Sequence, residues 1–408
     1  MTPEVVVPTN SIALSDAANR IRTSAANAAS QRARELRLAG HDVIDLTTGE
    51  PDFPTPDHIC EAAHRAMLAG QTRYTAVDGT LELKTAIASK FKRDNDLHYS
   101  TNEICVSAGA KQIIFNALLA TLNPGDEVLI PIPCWVSYPE MVSLTGATPV
   151  TVPNEECFED AVRNMEQAIT PRTKWLMFNS PNNPSGTALS DTELRMLADM
   201  LLRHPHVLVM SDDIYEHVLF DGRKFNTIAA IEPRLKARTL TINGVSKAYS
   251  MTGWRIGYAG GPAALIRAMA KIQSQSTSAP SSISQAAALA ALAGPQDIVH
   301  ERTAILEKRR DLLIKEFDTI KGMHAYTPDG AFYLFLDCRE LLPAVTSKGQ
   351  QLNTDYDLVT HFVNEAGVAL VHGTPFGAPG YLRLSFAASE ADLINACERL
   401  RATCSQLL

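Results

Sequence analysis

Asn243-Gly-Val-Ser-Lys-Ala-Tyr-Ser-Met-Thr-Gly-Trp-Arg-Ile-Gly-Tyr-Ala-Gly-Gly261 is the stretch whose reading decides the fold of this chain. The apolar run Thr239 to Ile242 precedes it and a second, Trp254 to Ala259, closes it, and both read as strands. Between them stands one lysine, Lys247, with Gly244 and Gly253 on either side and Arg255 eight residues further on. Fully extended, eight steps of about 3.3 Å would hold the two cations roughly 26 Å apart. Ser250-Met-Thr-Gly253 is turn-forming, however, so the chain can double back and present amine and guanidinium to one small ligand. A lysine amine forms Schiff bases with carbonyls, and a guanidinium grips phosphate through two parallel hydrogen bonds. An aldehyde and a phosphate on one small molecule describe pyridoxal phosphate. A solvated lysine and an ion-paired arginine are the plainer reading of such a pair; the glycines and the flanking strands favour a built site.

Working outward, strand signals alternate with helix signals, which predicts an α/β fold. Glu103 to Ser107 is a strand that runs into Ala108-Gly109-Ala110-Lys111 and then a helix through Leu122. Strand, small-residue turn and helix make a phosphate cradle, because unpaired N–H groups at a helix start face an anion with the helix dipole behind them. Glu127 to Pro133 is the next strand, and Cys134-Trp135 opens the following helix. Lys174 to Asn179 is a buried strand ending in Ser180-Pro-Asn-Asn-Pro-Ser-Gly186, where Asn183 is held out of the helical region by Pro184. Ser190-x-x-Glu193 is a capping box for a helix to His204. Val207 to Met210 ends in Ser211-Asp212-Asp213-Ile214-Tyr215, and acids at a strand's C-terminal end mark ligand crevices in α/β folds. Residues three apart on a strand face opposite sides, so Asp212 and Tyr215 can meet one ligand only if the chain leaves strand geometry. A two-carboxylate metal site is the competing reading, without a histidine or third acid at suitable spacing.

The remaining segments frame this centre. Met1 to Asn10 reads as an extended arm, Ala25 to Leu38 as a helix closed by Gly40, and Val43 to Leu46 as a short strand. Thr47 to Pro56 is a Pro/Gly loop carrying Gly49. Asp57 to Leu68 and Thr80 to Phe91 are amphipathic, with Leu83, Ile87 and Phe91 along one face. Tyr74 lies in the loop between them. Helices follow from Pro262 and Pro280, then a long charged helix, Asp297 to Phe317, that bridges domains. From about Thr327 a compact α+β unit begins, with strands Ala331 to Leu336, Val368 to Val371 and Tyr381 to Phe386 and helices Asp355 to Glu365 and Glu390 to Arg401. Arg383 points away from Leu382 and Leu384 on the last strand, and a guanidinium there suits a carboxylate.

On these motifs the chain resembles the class I aminotransferases of the bacterial aspartate aminotransferase type. That family's lysine signature has serine or glycine three before the lysine, where Gly244 stands, and arginine eight after it. The resemblance runs from about Leu14 to the C-terminus. It implies the aspartate-aminotransferase fold (fold type I), a large mainly parallel sheet domain with a smaller α+β domain. Residues 1–48 would be an arm and helix belonging to the small domain, 49–300 the large cofactor domain, and 301–408 the small C-terminal domain. The resemblance further implies that Lys247 binds pyridoxal 5′-phosphate, with Gly109, Ala110, Lys111 and Arg255 around its phosphate. Asp212 would pair with the pyridine nitrogen, Tyr215 and Asn183 with the ring oxygen, and Trp135 would stack on the ring. Tyr74 would reach the phosphate of a neighbouring subunit, making a homodimer with shared sites. Gly49, Trp135, Asn183 and Arg383 would border the substrate, Arg383 holding the α-carboxylate and Lys111 a side-chain carboxylate. Asp213 would have no chemical role.

Chemistry follows from these roles. Lys247 is displaced by the substrate's amine and then shuttles a proton as general base and acid. The reaction moves an amino group between an L-amino acid, aspartate or glutamate first, and a 2-oxo acid. Two departures bear on that choice: Ala26 stands where the subgroup has threonine near the distal carboxylate, and Cys134 where tyrosine is usual, altering the pocket wall. An aromatic or prephenate-type keto acid is the alternative. A lyase or decarboxylase would share the cofactor residues and differ in needing no keto acid. A regulator would need a DNA-binding module, for which the region before Leu14 is too short.

Composition sets the outer bounds. A chain of 408 residues, 45% hydrophobic, is long enough for two packed domains. Net charge is -8, and Lys308-Arg309-Arg310 is the longest basic run, which argues against nucleic acid or an anionic membrane as partner. Seven cysteines scattered singly favour a reduced, cytoplasmic protein, and the eleven histidines form no metal motif. His204 and His206 read as solvent-facing. Ala286 to Ala293 is too short to span a bilayer, and the start lacks a signal-peptide layout.

Overall fold

The computed structural model describes residues 12–155 and 157–407. The arm expected for Met1 to Asn10 lies outside them. A short helix, Asp16–Arg20, comes first, then the helix Ala25–Leu38 and the strand β1 (Ile44–Asp45), and the helices Asp57–Leu68 and Leu81–Asn95 follow. Leu83, Ile87 and Phe91 are fully buried, as their four-residue spacing predicts. Thr80 caps the second helix by accepting the Leu83 N–H at 3.3 Å, and the helix runs one turn beyond Phe91.

Seven strands make the central sheet: β2 (Ile104–Ser107), β3 (Glu127–Ile132), β4 (Thr148–Pro153), β5 (Thr173–Asn179), β6 (Leu208–Asp212), β7 (Thr239–Gly244) and β8 (Gly257–Gly260). Their spatial order is β2-β8-β7-β6-β5-β3-β4. β8 runs antiparallel to both neighbours and the other pairs are parallel. Helices cover both faces, so β2, β7 and β8 are buried along their whole length. β4 is the exposed edge, where the missing N–H groups of Pro149 and Pro153 cost least.

A second sheet is built from the C-terminal part. β9 (His324–Ala325), β10 (Tyr333–Asp337), β14 (Val371–His372) and β15 (Tyr381–Ser385) lie in the order β14-β15-β10-β9, all antiparallel. β11 (Ala344–Val345) and β12 (Gln351–Leu352) form a small ribbon. The single strand expected over Val368 to Val371 is instead two: β13 (Val368–Ala369) pairs in parallel with β1, and β14 turns onto β15. Chain start and chain end are thereby joined, and Ile44 and Leu46 share one apolar cluster with Leu334, Leu384 and Leu400. The helix expected over Asp355 to Glu365 is regular only to His361, then widens into a π-helical turn, Phe362–Ala366, closed by Gly367 at φ 64.

Two findings concern charge. Asp297–Phe317 is one helix of 21 residues, and the basic triplet within it is not a surface patch. Arg309 and Arg310 are buried, paired with Asp52 and Asp221. His204 is only half-buried from solvent and meets Glu166 at 3.1 Å, so of the two histidines His206 alone is exposed. No helix among the described residues is long and apolar enough to cross a membrane.

Candidate active site

The lysine segment doubles back as its turn residues require. Ser250 and Arg255 both take left-handed backbone conformations, φ 53 and 58, the kind of local strain that packed sites sustain. A short 3-10 turn, Thr252–Trp254, occupies the start of the expected strand, which therefore begins only at Gly257. The Lys247 amine donates to the Gly49 carbonyl at 2.6 Å. Burial, with Arg383 nearby, pushes that amine down to about 8.

Strand ends supply the polar wall. β6 stops at Asp212, and the turn after it swings Tyr215 back to the same side, resolving the conflict that strand geometry posed. The Tyr138 hydroxyl donates to Asp212 Oδ2 at 2.5 Å. Burial pushes Asp212 up to about 6, against Tyr138, the Ile214 N–H and Lys247, which lower it. Tyr215 shares a hydrogen bond of 2.8 Å with Tyr333 from β10. Arg383 donates to Asn183 Oδ1 at 3.0 Å and to the Thr47 carbonyl at 2.5 Å, while its buried Nε has no partner among the described residues. A guanidinium is donor only, so Asn183 turns its oxygen to Arg383 and its NH2 is left for another acceptor.

The opposite end is cationic. Gly109, at φ 90, begins the helix Ala110–Thr121 with no side-chain cap, and a Cβ there would collide with the Arg255 guanidinium. The uncapped N–H groups and Arg255 thus share one small space, an anion site. Lys111 stands over the Trp135 ring, 4.7 Å from its centre, and burial together with Arg255 holds its amine below the ordinary value. One cavity of about 430 Å³ joins Lys247, Asp212, Tyr215, Asn183, Arg383, Ala110, Lys111 and Arg255, with Gly109 behind the Arg255 guanidinium and off its lining. It is the size of a small-molecule site.

A model of the family "Aminotransferase class I and II" matches residues 41–400. The chain belongs to that family. This aminotransferase is 51% identical over 396 residues to an aspartate/prephenate aminotransferase of Cereibacter sphaeroides, covering 97% of this chain and 99% of the relative. Among solved structures it is similar to an aspartate aminotransferase from Rhizobium meliloti, with TM-score 0.93 and 49% identity over 97% of this chain and 100% of that one. It is also similar to an aspartate aminotransferase from Thermus thermophilus with maleate, with TM-score 0.87 and 40% identity over 96% and 99%. The central and C-terminal sheets are those of fold type I. Members of the family use pyridoxal phosphate.

The cavity of this aminotransferase gathers Gly49, Ala110, Lys111, Trp135, Asn183, Asp212, Tyr215, Lys247, Arg255 and Arg383. Tyr74 is not among them: it is 93% exposed and borders a separate surface recess with Gln71 and Ser282. Cys134 does not shape the wall as expected. It is buried behind Tyr138 and Asn179, beside a second space of about 50 Å³, and burial pushes its thiol up to about 12. Tyr138, Tyr333 and Glu50 were not legible as site residues, nor were Asn27, Ser30 and Arg34, which line the cavity beside Ala26. A buried tyrosine in an apolar run reads as core, and its need of a hydrogen-bond partner is the one signal available. Asp94, Glu216 and His217 bring three potential ligand atoms within 4.8 Å of one another. The Lys90 ammonium already lies against Glu216 there, 3.8 Å from Asp94, and supplies the positive charge.

Proposed function

We propose that this aminotransferase binds pyridoxal 5′-phosphate on Lys247 and moves an amino group between aspartate or glutamate and a 2-oxo acid. The observation that carries the reading is one cavity with a reactive amine, a buried carboxylate and a buried guanidinium with an unpartnered Nε on its walls, and an uncapped helix start at one end. These residues fit the cofactor. Arg255, Gly109 and Ala110 hold its phosphate, Asp212 faces the ring nitrogen with Tyr138 orienting the carboxylate, and Tyr215 and the Asn183 NH2 face the ring oxygen. Trp135 covers the ring. When bound, pyridoxal phosphate supplies an aldehyde for amine exchange and an electron sink. Lys247, with its amine near 8, is partly neutral at physiological pH, as a nucleophile and proton carrier must be. Arg383 holds the α-carboxylate, with Gly49 and Asn183 beside it.

A dicarboxylic substrate needs a second cation, and Lys111 at the Trp135 face is our choice. The maleate of the Thermus relative, itself a dicarboxylate, agrees with it. Ala26 offers no hydroxyl on that side of the cavity, which favours a bulkier prephenate-type keto acid as second reading. A donor panel of aspartate, glutamate, alanine, phenylalanine and tyrosine with 2-oxoglutarate tests both. A charge-assisted hydrogen bond is worth roughly 1.5–3 kcal/mol, so Lys111→Ala should cut aspartate use by about 10- to 150-fold. Alanine and phenylalanine should be nearly unaffected; equal losses on every donor would assign Lys111 to the cofactor.

The same reading includes a small domain of residues 1–48 and 301–408 on a large one of 49–300. It also includes a homodimer in which Tyr74 serves the partner's site, consistent with its exposure. Free cysteines throughout fit the cytoplasm, which cell fractionation would check.

A further inference from the structure

We propose that Tyr333 is a positioning residue of this site: its hydroxyl donates to Tyr215, which fixes the Tyr215 hydroxyl in place and strengthens it as a donor to the ring oxygen of the cofactor. The inference rests on the cofactor reading above and assigns a role to a residue that reading leaves unused.

The two phenol oxygens are 2.8 Å apart, and both side chains are buried. Each phenol has one proton, and among the described residues neither hydroxyl has another hydrogen-bond partner. One proton therefore bridges the pair and the other is available to the cavity. Which one bridges depends on which phenol is the better donor. The Arg383 guanidinium stands over the Tyr333 ring, 4.6 Å from its centre, whereas the nearest cation to the Tyr215 ring, Lys247, is 5.8 Å away. Burial raises both phenols above their ordinary value, and at Tyr333 the adjacent Arg383 charge is the chief influence opposing it, which favours Tyr333 as the donor. The more acidic hydroxyl donates, so the bond runs from Tyr333 to Tyr215. Arg383, Lys247 and Asp212 are the charged groups facing the pair.

Packing fixes where the Tyr333 hydroxyl stands. Tyr333 sits in β10 opposite Ser385, wedged against Phe332 at 4.9 Å and edge-on to Tyr215 at 5.9 Å. Its hydroxyl reaches Gly49 so closely that a Cβ there would collide with the phenol oxygen. Gly49 thus serves twice, through its backbone carbonyl on Lys247 and through the room its missing Cβ leaves Tyr333, and only the second requires a glycine.

A hydrogen bond donated to the cofactor's ring oxygen stabilises its ionised form and lowers the pH midpoint of the bound chromophore's visible absorbance. The test is to titrate that absorbance in protein reconstituted with pyridoxal phosphate. Tyr333→Phe should raise the midpoint by about half to one pH unit, and Tyr215→Phe by more. The double variant should match Tyr215→Phe alone, because without Tyr215 the Tyr333 proton has no route to the ring. Melting of cofactor-free Tyr333→Phe should match wild type, since the ring and its packing remain. A midpoint unmoved by Tyr333→Phe but moved by Tyr215→Phe overturns the inference, as do additive shifts in the double variant or loss of cofactor binding in Tyr333→Phe alone. Wild type that takes up no pyridoxal phosphate overturns the cofactor reading itself, and this inference with it.

Discussion

Asp212 and Asp213 are neighbours in sequence and differ in everything that matters to chemistry. Asp212 lines the cavity, hydrogen-bonded by Tyr138 and pushed up by burial to about 6. Asp213 points into the core, accepts from the Ser211 hydroxyl at 2.6 Å, and burial pushes it much further up. Above pH 6 Asp212 is ionised and ready to pair with a ring nitrogen; below it that charge is lost. Cofactor uptake by the cofactor-free protein should therefore weaken as pH falls through about 6 in wild type, and Asp212→Asn should remove that dependence. Asp212→Ala should depress turnover far more than cofactor content, because the charge on the ring nitrogen matters most as the carbanion develops. Asp213→Ala should be milder, and the opposite ranking would show that the other acid serves the ring. Lys247, Asp212, Asn183 and Arg255 were legible because turns and strand ends mark them. Tyr138 and Tyr333 were not, since their partners Asp212 and Tyr215 lie 74 and 118 residues away in the chain.

Between elements, two buried ionic devices hold the site walls, and neither was legible in the sequence. The loop after β1 is fastened to the helix Asp297–Phe317: Arg309 grips Asp52 with two bonds of 2.7 and 2.9 Å, and Phe53 is sandwiched between Arg302 and Arg309. Arg302 also bridges Pro54 and Ser250, tying the Gly49 loop to the Lys247 segment. Behind the Asp212–Tyr215 turn, Lys90 is completely buried against Glu216, with Asn95 joining both. Burial alone would push the Glu216 carboxyl up; Lys90 and His217 more than offset this and hold it below the usual carboxylate range. Lys90→Met leaves that charge with His217 alone and should cost about 3–5 kcal/mol of stability. Adding Glu216→Gln should restore much of the loss in thermal melts; a double variant no more stable than the single would mean the lysine acts through packing. Lys90 follows Ile87 by one helical turn, at the edge of the apolar stripe, and a lysine there reads as solvated because its partner is far away in sequence. Periodicity did find the helices Asp57–Leu68 and Asp297–Phe317 at their observed ends. It missed the division of Val368 to Val371 between two sheets because a short apolar run does not reveal which partner each residue pairs with.

Across the whole molecule, the cavity takes its walls from the helix Ala25–Leu38 and the loop after β1, the central sheet, and the C-terminal sheet with Tyr333 and Arg383. Fold class and the order of the motifs were legible at this scale; the fastening of chain start to chain end through β1 and β13 was not. The proposed dimer adds Tyr74 from a partner. Hybrids of Lys247→Ala subunits with Tyr74→Ala subunits should regain activity under conditions that exchange subunits, since half the hybrids' sites are then intact. No recovery would mean that each chain works alone. The central claim, that Lys247 carries the cofactor, is tested most directly by borohydride reduction of the yellow protein followed by peptide mapping. The account predicts one labelled lysine, on the peptide containing Lys247. Label on Lys111 or Lys271, or none at all, would contradict it.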